Sequence, residues 1–277
     1  MNKKQIIIDK ALELFAEHGF AATSVQQITE KCGISKGAFY LVFKSKDELV
    51  LAIIDQFMRQ ITSDIDWIVK NEEMDDKLLY RFYYANFQSL KQYSNFAKAF
   101  MKEQSHTLNE ELLRKVQYYN KILDETISYM VERLYGNQVK GIKYDLVYSI
   151  KGFLKNYTEL FLFFDLPIDL DRLCTSLAEK TEILAKYTTI PFMSDDFLRI
   201  YHSSIEKEVS TDSIIEMINE SLEGMEESIK RESLQLIKEE LTNPSLSPAL
   251  KRGLLENIRQ DSRCKWIAYL LENFSGF

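Results

Sequence analysis

"CGISKGAFYLVFKSKDEL", residues 32–49, decides how this chain is read. Two glycines, Gly33 and Gly37, sit in what otherwise looks helical, and Lys36, Lys44 and Lys46 surround the aromatic group Phe39, Tyr40 and Phe43. No acid stands between Lys31 and Lys46, although the 277-residue chain carries a formal net charge of −7. A glycine at position 33 supplies the left-handed backbone that a sharp turn needs. Ser35 and Ser45 stand where helix N-caps belong, and Glu48, three residues after Ser45, completes a capping-box pattern. The stretch reads as turn, short helix, turn, longer helix.

Upstream, Ile8, Ala11, Leu12 and Phe15 fall at i, i+3, i+4 and i+7, which predicts a helix over residues 3–18 stopped by Gly19. Thr23 is the expected cap of a second helix. Gln26 would close its capping box, and Val25, Ile28 and Cys32 would form its buried face. Ile34 is the apolar residue that buries the turn after it. Three helices at this spacing make a helix-turn-helix unit, in which the N-terminal part of the second helix of the pair enters the major groove. Charge agrees. Residues 1–48 hold seven Lys/Arg and six Asp/Glu, so a locally positive block precedes a remainder of net −8. That is a focused electrostatic footprint on an acidic body.

At this point the chain resembles a known family. Residues 4–54 are similar to the DNA-binding domain of TetR/AcrR-type regulators. The residues that carry the likeness are Ala11, Phe15, Gly19, Phe20, Thr23, Val25, Ile28, Gly33, Ser35, Lys36, Gly37, Tyr40, Phe43, Lys46 and Leu49. They cover about a fifth of the chain. The resemblance implies double-stranded DNA with a palindromic operator as partner, a helical ligand-sensing domain with a small-molecule effector, and a homodimer formed by that domain's last two helices. It places Tyr40 at the family's phosphate-contacting tyrosine and gives Lys46 a phosphate. A lysine in the first turn is unfavourable for the helix itself, which also suggests an external anion. Thr23 and Ser24 begin a helix whose free N–H groups face anions, and they serve as caps as well. Ser35, Lys36, Gly37 and Ala38 form the expected base-reading edge. Lys36 can donate to guanine O6 and N7 or grip a phosphate. Gly37 costs helix stability by about 1 kcal/mol relative to alanine and lets the backbone approach the groove wall. Phe39 and Phe43 read as core. Two positions depart from the pattern: Thr29, where the family often has alanine, and Val42, where it commonly has a polar residue.

The rest of the chain predicts an all-α protein. Its first proline is Pro167, and helical periodicity runs through 48–69, 75–93, 95–104, 108–134, 143–164, 169–187, 195–208, 212–241, 248–260 and 262–273. The expected organisation is a DNA-binding domain at 1–47, a ligand-sensing and dimerisation bundle at 48–190 and a helical C-terminal extension at 191–277. The bundle is dense in aromatics. Tyrosines there fit a partly polar cavity, since a buried hydroxyl needs a partner. Phe87, Phe100, Tyr118 and Tyr157 are the candidate ligand contacts, with plain core packing as the other reading. Leu146, Ile150, Phe153, Leu154, Tyr157 and Leu160 form a stripe that is either a dimer face or an internal one. The extension holds ten Lys/Arg against sixteen Asp/Glu, so it is a poor DNA-binding element. Ile215, Ile218, Leu222, Met225 and Ile229 make a short heptad-like seam there. That seam packs on its own domain, adds a dimer contact or docks a protein.

Several classes fit badly. Cys32, Cys174 and Cys264 are an odd, widely spaced set with no C-x-x-C pair, which points away from zinc and disulfides and towards a reducing cytoplasm. His18, His106 and His202 are scattered, and no H-E-x-x-H, G-x-S-x-G or P-loop pattern occurs. No enzyme activity, cofactor or metal is expected. The most apolar run, residues 160–166, is too short to span a bilayer, and the N-terminus lacks the apolar core of a signal peptide. The reading is a ligand-responsive DNA-binding regulator, most simply a repressor. The alternative is a regulator controlled by a protein partner through the extension.

Overall fold

The computed structural model describes residues 3–72, 75, 77–103, 110–164, 166–193, 210–273 and 277. The described secondary structure is helical throughout: α1 Lys3–His18, α2 Val25–Cys32, α3 Lys36–Tyr40, α4 Lys46–Asn71, α5 Leu78–Glu103, α6 Glu110–Tyr135, a 3-10 turn at Gly136–Val139, α7 Lys143–Phe163, α8 Leu170–Tyr187, α9 Thr211–Leu222, α10 Ile229–Thr242, α11 Pro248–Arg259 and α12 Lys265–Asn273. The helix expected at 195–208 lies outside the described residues. Contacts divide the chain into two units. One joins the chain up to Glu17, Ala22–Ser63 and the C-terminal helices; the other holds His18–Ala21 and the middle of the chain from Asp64.

In the first unit α1 buries Ile7, Ile8, Ala11, Leu14 and Phe15 along one stripe. The cap of α2 sits one residue later than expected. Thr23 is fully buried, and its hydroxyl donates to the Leu14 carbonyl at 3.4 Å, so it is turned into the core. Ser24 takes the cap instead. Its Oγ accepts the Gln27 N–H at 3.2 Å, and Gln27 Oε1 accepts the Ser24 N–H at 2.8 Å. The box is therefore Ser24–Gln27 rather than Thr23–Gln26. The buried face follows: Ile28 and Thr29 are buried, while Val25 and Cys32 are half-buried. Thr29 keeps its hydroxyl satisfied by donating to Gln26 O at 2.8 Å within its own helix.

Gly33 ends α2 at φ 66° and ψ 33°. Its N–H reaches Glu30 O at 3.1 Å and that of Ile34 reaches Thr29 O at 3.0 Å, which satisfies carbonyls the helix end would orphan. Ser35 then caps α3 by accepting the Ala38 N–H at 3.2 Å. Ser45 accepts the Glu48 N–H at 3.0 Å. Glu48 closes its loop on the Lys44 N–H at 2.5 Å, one residue upstream of the expected box.

The extension belongs to this same unit. Its second expected helix is two helices, because Gly224 at φ 70° ends α9 and Arg231 donates to the carbonyls of Leu222 and Met225 at 2.8 and 2.9 Å. The heptad-like seam breaks there. Ile218 and Met225 are buried, but Ile229 is exposed. α9 packs on α10 and α12, and α11 on α10 and α12. α12 buries the consecutive run Trp266, Ile267, Ala268, Tyr269, Leu270 and Leu271. Three contacts tie these helices to the N-terminal part of the unit. Lys4 Nζ meets Glu220 at 3.1 Å, Arg59 Nη1 meets Met217 Sδ at 3.2 Å, and the Arg59 guanidinium lies 6.0 Å from the Trp266 ring centroid.

In the second unit α5 packs against α7 and α8, and α6 against α7. α5 is one helix where two were expected. Ser94 donates to Lys91 O at 2.9 Å, so its hydroxyl is used inside the helix and the Ser-Asn pair does not stop it. Polar pairs within this bundle include Tyr83 with Thr181 at 2.8 Å and Asp124 with Lys151 at 2.5 Å. Arg133 closes the end of α4 by donating to Val69 O and Glu72 O at 2.5 and 2.8 Å. The stripe Leu146, Ile150 and Leu154 is buried, with Phe153, Tyr157 and Leu160 half-buried, so it is an internal face of α7.

Candidate nucleic-acid interface

Ser35, Lys36, Gly37 and Tyr40 are all exposed on and beside α3, with Ala38 half-buried among them. The helix is five residues long and cannot hold itself in place. Its anchor is aromatic. Phe39 and Phe43 are buried with ring centroids 5.9 Å apart. Tyr40 is 51% exposed and meets Phe39 edge-on at 5.4 Å, so its ring is steadied at the surface. A Cβ placed on Gly37 would meet only Ser35 Oγ, at 3.8 Å. Nothing within the chain demands glycine there.

The four lysines between 31 and 46 divide. Lys31 is drawn to α1, where Glu13 and Glu17 lie 3.2 and 3.7 Å from its ammonium. Hydrogen bonds from Lys10 and Lys31 hold the Glu13 carboxyl below the usual range. Lys46 Nζ donates to the Thr23 carbonyl at 3.0 Å and so links the first turn of α4 to the approach to α2. An ammonium carries three donors, so this bond positions the group without exhausting it. Lys36 and Lys44 are exposed. Ser24 is exposed at the start of α2, while Thr23 is fully buried and its carbonyl is covered by Lys46.

One residue of this surface was not legible in the sequence. Leu41, directly after α3, is 89% exposed. Periodicity assigns an apolar residue to a face but cannot say that the face is bare. Val42, the position that departed from the family pattern, is half-buried.

A short helix held by an aromatic root, a left-handed glycine turn before it and exposed lysine and tyrosine on it define a helix-turn-helix DNA-binding protein. Residues 7–53 match the family model "Bacterial regulatory proteins, tetR family". These residues form a TetR-type DNA-binding domain, and the chain as a whole is similar to HTH-type transcriptional regulators. It is 29% identical to YerO of Bacillus subtilis (strain 168), an uncharacterized HTH-type transcriptional regulator, over 99% of this chain and 96% of that one. YuxN of the same organism, another uncharacterized HTH-type regulator, is 23% identical over 93% of this chain and 92% of its own. Among solved structures, Bacillus subtilis FadR in complex with stearoyl-CoA shares the fold with a TM-score of 0.54 at 20% identity, over 67% of this chain and 99% of FadR.

The ligand candidates with described side chains lie on α5, α6 and α7. Phe87 is buried and stacks on Phe161 with centroids 5.5 Å apart. Tyr118 is buried against Tyr119, edge-on at 5.2 Å. Tyr157 is half-buried, and Lys180 Nζ stands 3.4 Å from its hydroxyl. The side chain of Phe100 lies outside the described residues. Burial pushes the thiols of Cys174 and Cys264 up to about 12, far from the reactive range. Among the described residues no cluster of His, Cys, Asp and Glu is placed to hold a metal ion, and no helix is long and apolar enough to cross a membrane.

Proposed function

We propose that the chain is a cytoplasmic, ligand-responsive repressor that binds a palindromic operator as a homodimer and leaves it when an apolar or amphipathic effector binds. Residues 1–47 would hold the DNA contacts and 48–190 the sensing and dimerisation functions. Ser24, Tyr40 and Lys46 would position the backbone, with buried Thr23 acting only through the carbonyl that holds Lys46, and Ser35, Lys36, Gly37 and Ala38 would face the base edges. The effector would lie among α4–α8, near Phe87, Phe100, Tyr118 and Tyr157. FadR, whose complex holds stearoyl-CoA, makes fatty acyl thioesters the first compounds to try.

The observation that carries the dimer is the outer face of α7 and α8. Tyr148, Gly152, Lys155, Glu159 and Phe163 recur at steps of three and four, which puts them along one side of α7. Tyr148 and Phe163 are exposed, as are Ile183 and Tyr187 of α8. Gly152 is mid-helix and a Cβ there would meet nothing within 4 Å. A glycine that weakens its helix by about 1 kcal/mol without a neighbour to accommodate suits a close helix crossing supplied by another chain. Lys155 and Glu159, one turn apart, are self-complementary across a two-fold axis.

Selection of bound sites from genomic fragments tests the reading. An inverted repeat with half-sites one helical turn apart, roughly 34–36 Å, supports it. Single asymmetric sites would overturn the palindrome. Acyl thioesters should raise the melting temperature and lower operator affinity together; stabilisation with unchanged affinity would remove the effector role. Exposed Ile229 and Leu250 keep a second reading open, in which a protein partner acts through the extension.

A further inference from the structure

An isolated surface leucine ordinarily needs no explanation. Leu41 is distinguished by its place. Its N–H donates to Gly37 O at 3.1 Å, so it stands one helical turn beyond Gly37 and on the same side. Ala38, three residues before it, shares that side. The face therefore runs from a residue without a side chain, through a methyl group, to a leucine that is 89% exposed. The next apolar residues turn away. Val42 is half-buried with its N–H on Phe39 O at 2.9 Å, and Phe43 is buried. Exposed Tyr40 and Lys44 flank Leu41.

If Gly37 lets the helix approach the groove wall, Leu41 enters the groove with it. This step rests on the proposed docking of α3. A leucine has no donor or acceptor to offer a base edge. In the major groove the one apolar feature that distinguishes a base is the C5-methyl group of thymine. We infer that Leu41 is a specificity-determining residue that packs on a thymine methyl within each half-site. Lys36, beside it, supplies the hydrogen-bonding part of the readout.

The test replaces operator thymines by deoxyuridine one at a time, which removes only the methyl group. Affinities are measured for the unaltered full-length chain, Leu41→Ala, Leu41→Met and Tyr40→Ala. The unaltered chain should lose about fourfold affinity at one or two positions in each half-site, the equivalent of ~0.8 kcal/mol for one buried carbon. Leu41→Ala should be indifferent to uracil at those positions, and Leu41→Met should recover part of the discrimination. An unchanged melting temperature for Leu41→Ala would show that the exposed site does not hold the fold. Equal uracil penalties in the unaltered chain and Leu41→Ala would overturn the inference, and so would the absence of any penalty. In either case a general loss of binding in Tyr40→Ala would leave the docking of α3 standing. Binding unaffected by both Tyr40→Ala and Leu41→Ala would overturn the docking itself.

Discussion

Two helices of this molecule are unusually apolar, and they differ in what covers them. α12 buries six consecutive residues, Trp266 to Leu271, a pattern with no solvent face. α7 buries Leu146, Ile150 and Leu154 on one side and leaves Tyr148 and Phe163 bare on the other. A helix buried on every side has found its partners within the chain. A helix with aromatics on its open side and a glycine without neighbours keeps that side exposed among the described residues. The extension is therefore a structural part of the DNA-binding unit, while the proposed cover for the central bundle is a second copy of the chain.

The strongest way to break that contrast is Trp266→Ala. Removing a buried tryptophan should cost ~3–5 kcal/mol in urea unfolding. The indole also underlies the Arg59 guanidinium of α4, so the loss should weaken DNA binding as the unit loosens. A change below ~1 kcal/mol, with DNA binding intact, would mean that α12 is an appendage.

Tyr148→Glu probes the open side. Exposed on the monomer, it should leave the unfolding free energy of the separated chain nearly unchanged. It should weaken dimerisation by ~2 kcal/mol or more, the scale of an interface hot spot. Gly152→Ala sharpens the point, because two effects have opposite signs. Helix propensity alone predicts a gain of about 1 kcal/mol. A close crossing predicts a weaker dimer in sedimentation. Gain without dissociation would sink the crossing.

A smaller effect is expected at the DNA face. Tyr40→Phe removes one hydroxyl and should cost ~0.5–1.5 kcal/mol of DNA affinity, uniformly across sequences. Lys46→Ala should lower the slope of log affinity against log salt by about one. A change in sequence preference with an unchanged slope would reassign Lys46 to a purely structural role at the Thr23 carbonyl.

The smallest effect belongs to acid. Glu240 accepts the N–H groups of Ser245 and Leu246 at 2.6 and 2.8 Å and pairs with Lys251 at 3.0 Å. These bonds hold its carboxyl below the ordinary value of 4.5. A depressed carboxyl stabilises the fold above the unfolded value, and that stabilisation is lost as pH falls through the folded one. The stability difference between the chain and Glu240→Gln should therefore be constant near neutrality and shrink below pH 4.5. A difference that grows on acidification would contradict the assignment.

Sequence read the molecule best where structure is local. The Gly33 turn, the Ser35 cap and the aromatic root of α3 depend on neighbours a few residues away, and all three stand as expected. It misread by one residue where a tertiary contact competed, as when burial of Thr23 passed the cap to Ser24. It joined α9 to α10 because the apolar spacing runs on across Gly224, while the backbone turns there. It divided α5 at a Ser-Asn pair that the helix absorbs. The bareness of Leu41 and the inward turn of the α7 stripe were beyond reach, since both depend on which neighbour covers a given face.

The central contrast is decided by the mass of the intact chain in solution, measured by light scattering across a range of concentrations. The expected mass is twice the 32.5 kDa of one chain, falling to a single chain in Tyr148→Glu with the fold preserved. A mass of 32.5 kDa for the unaltered protein at every concentration would contradict it, because the bare face of α7 and α8 would then have no second copy to cover it.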